Sequence, residues 1–262
     1  MLLSLLFYCL IGGVAGFIAG LFGIGGGVVI VPALLLAFAQ QGIDASVMTH
    51  MAIGTSLATI AVTGSSSAFG HWQRGAVARP LLVRLLPGLI AGAILGGLLA
   101  SVLPAAQLQL LFGLFLILLA LRLLLSRMPR ASGEGAGTLQ TLGAGSVIGT
   151  FSALFGIGGG VLSVPWLLRS GASMTRAIGT SAACGIPIAA FGALTFVATG
   201  YRHAALPEYA TGFLYWPAFL GMVLCSVPFA RLGVAVAHRL PAGVLRKLFA
   251  LVILLVGVKI IF

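Results

Sequence analysis

Acidic side chains are nearly missing from this chain. It has three, Asp44, Glu134 and Glu208, against 14 lysines and arginines in 262 residues. Charged residues make up 6% of the chain, where a soluble domain carries about 25%. Most of the surface therefore faces something other than water. No apolar segment contains a carboxylate, so the buried acid that proton-coupled carriers commonly use is lacking. Cysteine is scarce too. Cys9, Cys184 and Cys225 are scattered and odd in number, with no Cys-x-x-Cys spacing, which excludes a disulfide framework and a zinc site. No P-loop, HExxH or nucleophile–base constellation occurs. The chain is read as no enzyme, with no cofactor and no bound metal.

What is present is apolar. Hydrophobic residues reach 60% and mean hydropathy is +1.21. Runs of about 20 apolar residues recur throughout, as bilayer-spanning helices require. The polar–apolar alternation of a membrane β-barrel is absent. The net charge of +11 sits between the apolar runs, where the positive-inside rule explains it better than nucleic acid does. Met1–Leu10 lacks a basic leader and is read as part of the first membrane segment, not a cleaved signal.

One stretch organises the rest. Phe22–Pro32 reads Phe-Gly-Ile-Gly-Gly-Gly-Val-Val-Ile-Val-Pro, and Phe155–Pro165 repeats it at 9 of 11 positions. Each glycine inside a helix costs roughly 0.5–1 kcal/mol relative to alanine, so such a cluster breaks one. A break inside an apolar region, once in each half, marks the binding site of many transporters. Glycine lets backbone N–H groups converge, and the helix that starts there adds its positive dipole end. Each end carries about half a charge, so two of them suit a small anion. The plainer reading is close helix packing by small residues. Gly23, Gly25, Gly26 and Gly27, with Gly156, Gly158, Gly159 and Gly160, are the candidate anion site, because unpaired backbone at membrane depth must line a cavity or be buried. A dinucleotide fold is excluded, since Val28 and Val161 replace the last glycine of G-x-G-x-x-G.

The halves match elsewhere as well. Ala52-Ile53-Gly54-Thr55-Ser56 returns as Ala177-Ile178-Gly179-Thr180-Ser181, and Leu103-Pro104 as Leu240-Pro241. The expected fold is an all-α polytopic membrane protein of two inverted repeats, each of about five helical segments, with glycine-broken re-entrant hairpins. Residues 1–125 form the first repeat, residues 126–138 a polar cytoplasmic linker, and residues 139–262 the second repeat. The expected segments are Leu2–Leu21, Val28–Ala39, Ser46–Phe69, Leu81–Ser101 and Ala105–Leu125, then Leu139–Phe155, Val161–Leu168, Ser173–Thr199, Ala210–Ala230 and Ala242–Ile261. With an odd number of crossings per repeat, 12 of the 14 basic residues fall on one side and only Arg202 and Lys259 on the other. The rule then places both termini outside and the linker in the cytoplasm.

Thr55, Ser56, Thr180 and Ser181 offer hydroxyls at matching positions. They are candidate ligand donors, against the alternative that each bonds a carbonyl of its own helix. His50, near the outer end of its segment, and Arg176, two residues before Ala-Ile-Gly-Thr-Ser's Ile178, are candidates for gating or titration; the alternative is an ordinary boundary role. His71, His203 and His238 are expected in solvated loops, Trp72 and Trp166 in the cytoplasmic aromatic belt, and Cys184 as apolar filler.

On Gly23–Gly27 with Pro32, Gly54-Thr55-Ser56, Arg74-Gly75, and the second copies at Gly156–Gly160 with Pro165 and Gly179-Thr180-Ser181, the chain resembles the sulfite exporter TauE/SafE family of bacterial inner-membrane transporters. The Arg74-Gly75 element has no second copy; Tyr201-Arg202-His203-Ala204 stands in its place. The resemblance implies transport of sulfite or small organosulfonates, commonly outward, across a bacterial inner membrane; alternating access is expected from one repeat rocking against the other. The partners expected are a small anion and the lipid bilayer. An anion channel, or a carrier of another small anion such as a carboxylate, is the alternative.

Overall fold

The computed structural model describes residues 2–22, 26–125, 137–201, 203–237 and 242–261. Gly23 and Gly25, and all of the central linker but residues 137 and 138, lie outside them. Among the described residues are ten helices. The first five are α1 (Leu2–Phe22), α2 (Gly27–Gln40), α3 (Ala45–Gln73), α4 (Arg79–Val102) and α5 (Ala105–Leu125). The next five are α6 (Thr138–Phe155), α7 (Gly160–Arg169), α8 (Met174–Thr199), α9 (Trp216–Ala237) and α10 (Ala242–Ile261). Between α8 and α9 two short strands, β1 (Ala210–Thr211) and β2 (Leu214–Tyr215), pair antiparallel. The protein is an all-α polytopic membrane fold. Five helices, α3, α4, α5, α8 and α9, are long and apolar enough to cross a bilayer. Leucines such as Leu10, Leu118, Leu194, Leu224 and Leu255 point outward as a lipid-facing surface requires.

Local chemistry explains the helix limits. The Asp44 carboxylate caps α3, accepting from the Ser46 N–H at 2.8 Å. Pro80 in the first turn suits the start of α4. At the end of α6, Gly156 adopts a left-handed φ of 68°, while the Ile157 N–H reaches back to the Ser152 carbonyl at 2.9 Å. That is a Schellman closure, which satisfies carbonyls that the helix leaves open. At about 1.5 Å per residue, α2 with 14 residues and α7 with 10 extend only about 21 and 15 Å. Both fall short of the ~30 Å hydrocarbon core.

Two expectations need correcting. The segment read as Ala210–Ala230 is not helical from its start: residues 210–215 form the β-hairpin, and the helix begins at Trp216. Gly212 turns the chain with φ 55°, and Pro217 fits the first turn of the new helix. The apolar side chains of this stretch fill the protein rather than extend a lipid-facing helix. His71 lies not in a solvated loop but inside α3, buried at 3% exposure. The helix runs past Phe69 to Gln73 and carries the imidazole inward.

The halves interlock. α1 packs along α9, α6 along α4, α3 against α8, and α5 against α10. Glycines set these contacts by letting backbones approach. Gly12, Gly16 and Gly20 meet Met222, Ser226 and Ala230, so α1 and α9 run parallel. Gly88, Gly92 and Gly96 meet Leu142, Ser146 and Thr150, so α4 and α6 do the same. The counterparts α3 and α8 run antiparallel: Gly54 lies at Phe196, Gly192 at Leu57, and Ala76, past the end of α3, at Gly179. In α5 and α10, Gln109 Nε2 donates to the Ile260 carbonyl at 3.3 Å while Gly257 packs on Leu116, again an antiparallel pair.

Candidate functional site

The glycine turns end as the sequence led one to look for, with a helix start. Gly26, at φ 76°, precedes α2, and Gly159, at φ 83°, precedes α7. Gly158 is left-handed as well, at 70°. A side chain with a Cβ is strained at such angles. No side chain caps either helix. The N–H groups of residues 29 and 30 turn back to the Gly26 carbonyl and those of 162 and 163 to the Gly159 carbonyl, while Gly27, Val28, Gly160 and Val161, which begin the two helices, are all buried.

The two turns meet. Gly27 packs so closely on the Gly156 carbonyl and Ile157 that a Cβ there would collide with backbone. Ser56 on α3 donates to the same Gly156 carbonyl at 2.9 Å. In the second half, Ser181 on α8 lies 3.3 Å from the Gly160 carbonyl and 3.0 Å from Ser163 Oγ, which is itself 2.8 Å from the Gly159 carbonyl. Each Ser of the Gly-Thr-Ser motifs thus reaches a glycine turn.

Each Thr does something different. Thr55 Oγ1 accepts from the Tyr215 N–H at 3.0 Å, immediately before α9. Thr180 Oγ1 accepts from the Ala78 N–H at 2.9 Å, immediately before α4. A hydroxyl of one half therefore anchors the start of the fourth helix of the other. The glycine of each motif makes room: Gly54 lies against the Phe213 carbonyl, and Gly179 against the Ala76 carbonyl, each so close that a Cβ would stand 2.5 Å away.

His50 is buried near the N-terminal end of α3, Nε2 at 3.0 Å from the Ala100 carbonyl, its ring stacked on Phe213 at 5.0 Å. It packs on the β-hairpin and not on the glycine turns. Arg176 is exposed in the first turn of α8, where its N–H reaches the capping Ser173 hydroxyl at 3.5 Å. Cys184 is fully buried in α8. Among the described residues no group of acids, histidines and cysteines is placed to hold a metal ion.

Sequence reasoning did not single out Ser152 or Ser163. Ser152 is 1% exposed, its hydroxyl has no partner, and it lies 3.6 Å from where a Gly159 Cβ would stand. Ser163 occupies the motif position held by Ile30 in the first copy. Of the two positions at which the repeated stretches differ, it is the one that exchanges an apolar side chain for a hydroxyl, and that was the available signal.

This architecture defines a multi-pass α-helical membrane protein with a buried, polar-backboned centre. The family model for the sulfite exporter TauE/SafE matches residues 8–260, and the chain belongs to that family. A "Probable membrane transporter protein" of Haemophilus influenzae is 34% identical over 251 residues, covering 95% of each chain. One from Methanocaldococcus jannaschii is 27% identical over 258 residues, covering 98% of this chain and 95% of its own. Bacillus subtilis contributes one at 24% over 280 residues, covering 99% and 98%. No solved structure gives a significant match. The family and these relatives are named as membrane transporters and not as enzymes.

Proposed function

We propose that this protein is a secondary carrier that exports small sulfur-containing anions, sulfite or organosulfonates. The carrying observation is that the buried, uncapped start of α2 packs at Gly27 on the turn at Gly156 and Ile157, the turn that leads into the equally uncapped start of α7. Their dipole ends supply about one positive charge in total, which no described carboxylate offsets. Ser56, Ser181 and the unpartnered Ser152 add hydroxyls. The binding residues are then Gly26, Gly27, Ser56, Gly158, Gly159, Gly160 and Ser181, with Gly156, Thr55 and Thr180 holding the frame; Gly23 and Gly25, also proposed from the motif, lie outside the described residues.

The antiparallel run of α3 with α8 and α5 with α10 supports inverted repeats, residues 1–125 and 139–262, which rock against each other. The charge bias supports an inner-membrane orientation with both termini outside. An inside-negative potential favours expelling each negative charge by ~2.3 kcal/mol per 100 mV. A buried acid for proton coupling is then unnecessary.

The test is flux from proteoliposomes loaded with sulfite, with taurine-like sulfonates and carboxylates as competitors. A carrier gives saturation and trans-stimulation by external sulfite. Single-channel currents would make it a channel, and absence of sulfite flux beside carboxylate flux would reassign the cargo.

A further inference from the structure

A second polar place lies away from the turns. Ser66, Phe69, Gly70, Gln73 and Arg74 of α3's C-terminal end, with Arg231 and Val234 of α9, line a cavity of about 300 Å³. We propose that this cavity is a loading site for the small oxyanion cargo, feeding the glycine turns along α3. The inference rests on the transport reading and adds to it where the anion is first held.

Charge comes first. Arg74 and Arg231 bring two guanidinium groups to one cavity, while the carbonyl end of α3 contributes only about half a negative charge. No described carboxylate neutralises them. Asp44 caps the other end of α3, 29 residues away, or about 43 Å of helix. Glu208 precedes the hairpin at that same far end. Two unbalanced guanidiniums in a walled cleft raise the local concentration of anions. Each guanidinium fork can also donate to two oxygens of a sulfonate or sulfite at once. The Ser66 hydroxyl is buried without a partner at the wall. The volume equals about ten water molecules, enough for a small oxyanion that keeps part of its hydration.

Position comes second. From Ser56 at the turns, the buried face of α3 carries Thr59, Thr63 and Ser67 towards this cavity. Thr63 Oγ1 also meets Ser226 Oγ of α9 at 2.9 Å, and the Ser67 hydroxyl has no partner. The ladder spans about 17 Å.

One-sidedness decides against a mere consequence of the duplication. With Gly54 matched to Gly179, an offset of 125 (179 − 54), the counterparts of Thr59, Thr63, Ser66, Ser67 and Gln73 are Cys184, Ile188, Phe191, Gly192 and Ala198. With Leu103 matched to Leu240, an offset of 137 (240 − 103), Arg231 corresponds to Ile94. The related place between α8 and α4 is apolar, and Gly97 there is packed against Thr195. A general taste for arginine at cytoplasmic ends explains neither the hydroxyl ladder nor its loss in the other copy.

The shared ligand chemistry is an anionic oxygen cluster, which a free oxyanion or a lipid phosphate provides. Full-length protein in neutral detergent is titrated with sodium sulfite while its thermal midpoint is followed. Wild type is stabilised. The double variant Arg74→Gln/Arg231→Gln needs about tenfold more sulfite for the same shift, the loss expected for a charge-assisted contact. Arg84→Gln, an exposed arginine of α4 outside the cavity, titrates as wild type, and Arg74→Lys keeps most of the response. Equal titrations of the double variant and wild type overturn the proposal. So does stabilisation by phosphatidylglycerol through these arginines with none by sulfite. Flux from phosphatidylcholine vesicles separates the two readings. Sulfite transport with unchanged half-saturation in the double variant removes the loading site and leaves the carrier. Arginine-dependent binding without flux does the reverse.

Discussion

Gly27 and Ser56 show how single residues hold the centre. Gly27 sits where any Cβ would strike the Gly156 carbonyl, and Ser56 occupies that carbonyl's hydrogen-bonding capacity. Gly27→Ala must push the turns apart. The expected outcome is a protein that still inserts but moves no sulfite, checked by proteoliposome flux beside a fluorescence measure of membrane yield. Gly159→Leu is expected to behave the same way, because its φ of 83° excludes a branched side chain; normal flux in either variant counts against the turns as the site. Ser56→Ala leaves a buried carbonyl unpaired, at a cost of about 1–3 kcal/mol. A lowered thermal midpoint in detergent is the readout, and an unchanged one would mean that water replaces the hydroxyl. The glycines and hydroxyls themselves were legible in the sequence. Which carbonyl each hydroxyl meets was not, because Ser56 and Gly156 are 100 residues apart and only packing across the halves joins them.

At the level of elements, the two α-to-α connections that follow the long helices are equivalent in place and unequal in bulk. After α3 the connection presents Ala76 to Gly179; after α8 the hairpin presents Phe213 to Gly54. Phe213 is 5% exposed and stands among His50, Phe196 and His203 at ring distances of 5.0, 6.4 and 6.0 Å. It lies towards the end of α3 opposite the arginine cavity. Phe213→Ala is expected to raise passive sulfite leak while the Thr55–Tyr215 bond keeps α9 in place. Leak at the wild-type level would show that the ring is not a barrier. The start of α3 carries a pH signature. Hydrogen bonds from the Ser46 hydroxyl and amide hold the exposed Asp44 carboxyl below the usual carboxylate range. A depressed folded value means the cap is present above the unfolded value of ~3.9 and is lost as pH falls through the folded one. Helix-end protection of α3 in hydrogen exchange is expected to persist at pH 5 and to weaken only below about pH 4. The hairpin was missed from sequence because its apolar letters, Ala210 to Tyr215, read equally well as the start of a membrane helix.

Across the whole molecule, parallel packing of α1 on α9 and α6 on α4 ties each half to the other along its full height. Single cysteines at positions 132 and 208, in a background lacking Cys9, Cys184 and Cys225, test the proposed orientation. Position 132 is expected to react with a membrane-impermeant thiol reagent only in inside-out vesicles, and position 208 only in right-side-out ones. Labelling of both from one side would remove the inversion. The same experiment in sulfite tests whether the hairpin closes on substrate.

By itself the sequence determined the class, the helical class of nearly every segment, the doubled organisation and the two glycine turns. These follow from local codes: runs of apolar residues long enough for a bilayer, glycine where a helix must stop, and repetition that one chain displays directly. Only the tertiary structure decided that Gly27 lies on Gly156, that Thr55 and Thr180 anchor α9 and α4, that residues 210–215 fold into a β-hairpin, and that Arg74 and Arg231 share a cavity. The contacts that join these places, the hairpin's own pairing aside, link residues 100 or more positions apart. Their partners are chosen by close backbone packing across the two halves, which no local pattern along the chain encodes.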